Sequence, residues 1–180
     1  RVRSSAASDV YKRQVLKFQH RDVIDLFLPL ETGFHNLAIV SSKNRYPRQG
    51  RKTALGLLGA GQMMFLKTIV AVNPEHDAKD LDLLLDALDS KVEISEDLVV
   101  LPGMVADSLA HASPWENIHD KLLIDATSPV EGDPRSLRAP LVGCPDSLEV
   151  SASGIDGVVQ ARMLRSSMLV VTTDLSLIHI

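Results

Sequence analysis

The first place in the chain where residue types and spacing could do chemistry is Gly59-Ala60-Gly61-Gln62-Met63-Met64, followed by a cation at Lys67. It carries the first two glycines of a dinucleotide fingerprint, but Met64 stands where the third belongs. The run also follows a helical stretch rather than a strand, so no helix N-terminus is offered to a pyrophosphate. No Gly-Lys-Ser/Thr occurs, which excludes a phosphate-cradling P-loop. Glu75, Asp77, Asp80, Asp82 and Asp86 with His76 could be imagined as a metal site at a sheet edge. Their spacing instead suits one capped, solvated helix, and the residues predict no metal site. His20, His35, His76, His111 and His119 are scattered and no Gly-x-Ser-x-Gly elbow exists, so a hydrolase triad is unsupported. Cys144, between Gly143 and Pro145, has no basic neighbour and reads as an inert thiol. As the single cysteine it excludes an internal disulfide and a multi-cysteine zinc site. Trp115 reads as a packing or interface residue.

The elements that must position these residues follow from periodicity. Val15–Pro29 is densely apolar without a clean period and ends at a proline, which suggests a helix or connector. Leu37-Ala38-Ile39-Val40 reads as a buried strand, and Pro47–Phe65 as a helix broken near Gly59–Gly61. Thr68-Ile69-Val70-Ala71-Val72 is a second buried strand, closed by Asn73-Pro74. Asp80–Ser90 places Leu81, Leu84, Leu85 and Leu88 at helical spacing, with Asp77 and Asp80 at its capped start. Leu98–Leu101 is a third strand ending at Pro102-Gly103, Leu122–Ile124 a fourth, and Met168–Thr172 another after a helix across Val158–Leu164. Alternation of this kind predicts an α/β fold of βαβ units, a mostly parallel sheet with helices on its faces.

With 180 residues, 45% hydrophobic and 23% charged, the chain can build the core of one ordinary domain. A formal charge of −4 argues against a nucleic-acid surface. The apolar runs are too short to span a bilayer, so an integral membrane protein is not expected. Position 1 is Arg and no signal segment follows, which reads as a piece of a longer or processed protein. Residues 1–14 and 175–180 resemble translated sequencing-adaptor read-through and are set aside as non-native. Taken alone, the residues lead to an α/β domain and no further.

A set of ordered motifs goes beyond that. His35-Asn36-Leu37-Ala38-Ile39-Val40-Ser41, Lys43, Arg45-Tyr46-Pro47, Gly61-Gln62-Met63-Met64-Phe65, Lys67, Asp107-Ser108-Leu109, Ala112-Ser113-Pro114 and Lys121-Leu122-Leu123-Ile124-Asp125-Ala126-Thr127 together resemble the UbiD family of decarboxylases, in its carboxy-terminal portion. The resemblance implies a non-oxidative carboxy-lyase using prenylated FMN, supplied by a partner flavin prenyltransferase. The substrate would be an aromatic or α,β-unsaturated carboxylic acid, in ubiquinone or menaquinone biosynthesis, in a cytoplasmic homo-oligomer. The modified flavin would be the electron sink, and a divalent metal such as Mn2+ would tie its phosphate to the parent protein. The family's Glu-Arg-Glu arrangement has no counterpart here, so no catalytic residue is assigned and the chain alone is expected to be inactive. Gln62, Met63 and Lys67 are the expected cofactor-approaching residues, because the adjacent glycines permit a close backbone approach and Lys67 could serve an anionic group. The organisation expected is a connector from an upstream domain over 15–34, the family-like domain over 35–128 and a divergent extension over 129–174. Asn73-Pro74-Glu75-His76-Asp77, Ala110-His111, His119-Asp120 and Ser128–Gly132 depart from the family pattern and leave the substrate open. The rival reading is a non-catalytic α/β interaction or oligomerisation module.

Overall fold

A computed structural model describes residues 20–33, 36–108, 110, 113, 115–139 and 147–173. The two ends set aside above, His35, His111 and Cys144 lie outside them. The chain divides into two compact units, Arg1–Arg138 and Ala139–Ile180.

The first unit is built on a five-stranded sheet. Its strands are β1 (Val23–Phe27), β2 (Leu37–Ser42), β3 (Thr68–Val72), β4 (Leu98–Val105) and β5 (Ile118–Asp125), in the order β1-β2-β3-β5-β4. The three central strands are parallel, with Ala38 opposite Ile69 and Ile69 opposite Leu123. Both edges, β1 on β2 and β4 on β5, are antiparallel, so the α/β sheet is mixed. Between the strands run helices α1 (Gln49–Leu58), α2 (Leu81–Lys91) and the single turn α3 (Ile94–Asp97).

Side-chain alternation along the strands divides the core in two. Ala38, Val40, Ile69, Ala71 and Leu123 pack with Ala54, Leu57 and Leu58 of α1, while Ile39, Val70, Val72 and Ala126 pack with Leu84 and Ala87 of α2. Strands buried on both faces must be apolar at successive positions, which is why Leu37–Val40 of β2 and Ile69–Val72 of β3 read as continuous apolar runs. On α1 the buried positions Gln49, Gly50, Thr53, Ala54, Leu57 and Leu58 form one stripe. Gly59 terminates the helix, and Gly61–Phe65 forms a 3-10 turn, as the glycine spacing foretold. Asp80 caps α2, its Oδ1 accepting from the Leu83 N–H at 3.0 Å.

Three expectations need correction. Val23–Phe27, read as helix or connector, is an edge strand: Val23 and Leu26 are buried while the intervening residues are half-exposed. Tertiary pairing with β2 decided what the dense apolar run left ambiguous. The third strand does not stop at Pro102-Gly103; it continues to Val105 through a register irregularity. There Gly103 adopts φ 64°, and its N–H finds Asp120 Oδ1 at 2.9 Å. An edge strand tolerates the missing proline donor.

The second unit holds α4 (Ser147–Ser153) and an antiparallel hairpin of β6 (Val158–Met163) and β7 (Leu169–Thr173). Val158–Leu164, read as a helix, is therefore the strand β6. Val158-Val159 is short and β-branched, a pattern that cannot by itself separate the two states. Glu149 of α4 accepts from the Met163 N–H and ties the helix to the hairpin.

Candidate functional site at the carboxyl edge of the sheet

In open α/β sheets, ligands lie outside the carboxyl ends of the parallel strands. Here that edge is formed by the loop Lys43–Arg48 after β2, Asn73–Asp77 after β3, and Ala126–Ser128 after β5. The three loops are stitched together by polar side chains. Ser41 Oγ donates to the Asn73 carbonyl at 3.1 Å, and Asn44 Nδ2 to the Ser128 carbonyl at 2.7 Å. Asn73 Nδ2 donates to Ser128 Oγ at 2.8 Å, and Asn73 Oδ1 accepts from the Ser128 N–H at 2.7 Å. Burial disfavours the Glu75 carboxylate, but the hydrogen bond from Asn73, a backbone hydrogen bond and the nearby Lys91 together outweigh it and hold Glu75 below its ordinary value. Tyr46 projects from the first loop, 45% exposed.

Behind this edge sits a buried ionic network. Asp125 Oδ1 accepts from Thr127 Oγ1 at 2.6 Å and from the Thr127 N–H at 3.2 Å. Its Oδ2 lies 3.4 Å from Arg135 Nη1. Arg135 also clasps Asp133, with Nε 3.0 Å and Nη2 2.8 Å from Oδ2, and donates Nη1 to the Thr127 carbonyl at 3.0 Å. Asp97 accepts from Arg48 Nη1 at 2.7 Å, from Arg138 and from the Glu93 N–H at 3.0 Å. Asp97, Asp125, Asp133 and Arg135 are all buried. Burial alone would push the Asp97 and Asp133 carboxyls up; the guanidinium and backbone donors outweigh it and hold both below the usual carboxylate range. Arg135 is raised, because its acidic partners outweigh desolvation.

The first turn of α1 presses directly onto this network. A Cβ on Gly50 would lie 2.6 Å from Thr127 Cγ2 and 2.9 Å from Asp125 Oδ1, so only glycine permits the approach. Arg48, just before the helix, takes φ 61°, the left-handed region that costs a non-glycine residue about 1–2 kcal/mol. Its ion pair with Asp97 holds it there.

The residues singled out from the sequence fall elsewhere. Gln62, Met63 and Lys67 precede β3 and therefore lie at the amino edge of the parallel strands, not with the cluster above. Met63 is packed into the α1-side core, Gln62 is exposed, and Lys67 is half-buried, its carbonyl accepting from the Leu122 N–H. Met64 is 36% exposed. Near them, Lys121 is fully buried and donates Nζ to the carbonyls of Met64 and Leu66, the latter at 2.7 Å. Burial lowers its pKa. Trp115, expected in packing or an interface, is 71% exposed. Sequence reasoning did not single out Asp97, Asp133, Arg135 or Arg138. Asp133-Pro134-Arg135 was the available signal, a helix-start pattern whose Asp133 Oδ1 indeed accepts from the Arg135 N–H at 3.0 Å. Among the described residues no group of three His, Cys, Asp or Glu side chains could hold a metal. No helix is long and apolar enough to cross a membrane among those residues.

Known proteins resemble this chain in sequence and fold. An uncharacterized protein of Archaeoglobus fulgidus is 38% identical over 113 residues, covering 63% of this chain and 24% of that protein. The chain spans about a quarter of the length of the curated relatives it matches. The vanillic acid decarboxylase of Sedimentibacter hydroxybenzoicus in its closed form superposes with a TM-score of 0.63 at 26% identity, over 78% of this chain and 29% of that one. The UbiD-class enzyme HmfF of Pelotomaculum thermopropionicum, solved in complex with FMN, shares the fold at a TM-score of 0.59 and 16% identity, over 76% and 29% of the two chains. The family model of the 3-octaprenyl-4-hydroxybenzoate carboxy-lyase C-terminal domain matches residues 5–126, more than half of the chain. The mixed sheet β1–β5 thus lies within a UbiD carboxy-terminal domain, and this chain is a member of that family.

Proposed function

We propose that this chain is the carboxy-terminal domain of a non-oxidative decarboxylase that uses prenylated FMN on an aromatic or α,β-unsaturated carboxylic acid. The observation that carries the reading is the family match over residues 5–126, supported by the likeness to a vanillic acid decarboxylase. The parent is a cytoplasmic homo-oligomer serving ubiquinone or menaquinone biosynthesis, with a flavin prenyltransferase supplying the cofactor and a divalent metal such as Mn2+ binding it outside this chain.

When bound, the prenylated flavin supplies the electron sink for loss of CO2. The residues here have supporting tasks. The carboxyl-edge loops Lys43–Arg48 and Asn73–Asp77 form the wall that meets the flavin pocket, where Lys43 and Arg45 offer positive charge to an anionic group and Tyr46 an aromatic face. The network of Asp97, Asp125, Asp133 and Arg135 fixes those loops from behind. That the Sedimentibacter enzyme is known in open and closed forms is consistent with a domain that closes over its pocket. Gln62 and Lys67, at the opposite edge, would have to reach the cofactor from the amino side. Substituting the two edges separately distinguishes the alternatives. In the full-length parent, Tyr46→Ala and Lys43→Ala are expected to raise KM or lower kcat by tenfold or more, while Gln62→Ala and Lys67→Ala change neither. Loss confined to Gln62 and Lys67 would move the cofactor wall to the amino edge.

A further inference from the structure

A second polar site lies outside the carboxyl-edge network. A cavity of about 470 Å³ is lined by His20, Arg21, Asp22, Lys52, Thr53 and Gly56, between the residues leading into β1 and the first half of α1. Its volume lies within the range of small-molecule sites. We propose that it binds the phosphate group of a small phosphorylated molecule. His20 and Arg21, and Lys52 about thirty residues further on in sequence, all line it, in a chain whose formal charge is −4. Asp22 is the one carboxylate among the described residues of the lining. It accepts from Lys52 Nζ at 2.6 Å, which fixes the ammonium, and Tyr46 also lies beside it. The same hydrogen bond draws the Asp22 carboxyl below its ordinary value and raises Lys52, so both remain charged.

The backbone around the site is anchored. The Arg21 carbonyl accepts from Lys43 Nζ at 2.6 Å and the His20 carbonyl from the Val23 N–H at 3.0 Å, while the Arg21 side chain is exposed. The imidazole of His20 lies against the helix because position 56 has no side chain: a Cβ there would be 3.2 Å from Cε1 and 3.3 Å from Nδ1. Thr53 donates its hydroxyl to the Gln49 carbonyl at 2.9 Å and so offers a ligand only acceptor lone pairs. Arginine, imidazole and ammonium donors matched against a single, already engaged carboxylate favour a dianionic oxyanion over a cation or a neutral ligand. None of the lining residues takes part in the decarboxylase reading, although Lys43, which that reading uses, anchors the Arg21 carbonyl of this site.

The test is titration of the 180-residue chain with inorganic phosphate and, separately, glycerol phosphate, followed by calorimetry and by the NMR shifts of the His20 ring. Saturable binding is expected, weaker for acetate, and reduced about tenfold in Arg21→Gln and in His20→Gln, the loss expected for a charge-assisted hydrogen bond. Arg21→Lys should recover part of it, and circular dichroism checks that each variant folds. Tighter binding of the ester than of inorganic phosphate identifies a phosphorylated molecule as the ligand; equal binding identifies free phosphate and overturns the ester assignment. Absence of saturation, equal affinity for acetate, or unchanged affinity in folded Arg21→Gln and His20→Gln would overturn the site itself.

Discussion

Arg135 shows how much one side chain can organise. It bonds Asp133 and the Thr127 carbonyl and pairs with Asp125, all within a buried volume. Removing it leaves carboxylates buried without their cation, and Arg135→Met is expected to destabilise the first unit by about 3–5 kcal/mol. A urea denaturation midpoint unchanged from wild type would contradict this. Gly50 makes the complementary case through absence of a side chain. Gly50→Ala would force its Cβ to within 2.6 Å of Thr127 Cγ2 and is expected to cost about 1–3 kcal/mol despite alanine's better helix propensity. The same denaturation series would return a stabilised protein if the contact were loose.

At the scale of elements, the buried carboxylates give the carboxyl edge a pH dependence of definite sign. Asp97 and Asp133 titrate lower in the folded than in the unfolded chain. Their contribution is therefore present above the unfolded carboxylate value of about 3.9 and is lost as pH falls through the depressed folded values. Thermal unfolding between pH 6 and pH 2 should show Tm falling most steeply below about pH 4. Asp97→Asn should flatten that limb, and an acid limb identical in Asp97→Asn and wild type would contradict the assignment. Lys121 acts at the opposite edge. Lys121→Met leaves the Met64 and Leu66 carbonyls without their donor and is expected to cost about 1–3 kcal/mol. A variant as stable as wild type would show that water or backbone adjustment satisfies those carbonyls.

The same scale explains what was legible in the sequence. β2 and β3 are buried on both faces and therefore had to be written as continuous apolar runs. The capped α2 and the glycine break after α1 were equally plain. β1 and β6 were not, because each becomes a strand only by pairing with a partner that its own pattern does not name. The carboxyl-edge network was hidden for a related reason. Asp97, Asp125 and Arg135 lie far apart in sequence, and charged residues read as solvent-facing until the fold brings opposite signs together. The glycine loop at 59–61 drew notice to Gln62, Met63 and Lys67, which stand at the amino edge of the parallel strands, opposite the polar network. The first compact unit also runs past residue 128 to Arg138, since Arg135 and Arg138 bind the chain back onto Asp125 and Asp97.

For the whole molecule, the proposed function amounts to a division of labour, in which this domain would wall a flavin pocket whose cofactor and proton-handling residues would belong to the rest of the parent. The most direct measurement compares the full-length parent with the 180-residue chain, each given reconstituted prenylated FMN and a panel of aromatic and α,β-unsaturated acids, with CO2 release monitored. The account predicts CO2 release by the full-length protein and none by the chain alone. Turnover by the isolated chain, or no turnover by a fully loaded parent across the panel, would contradict it.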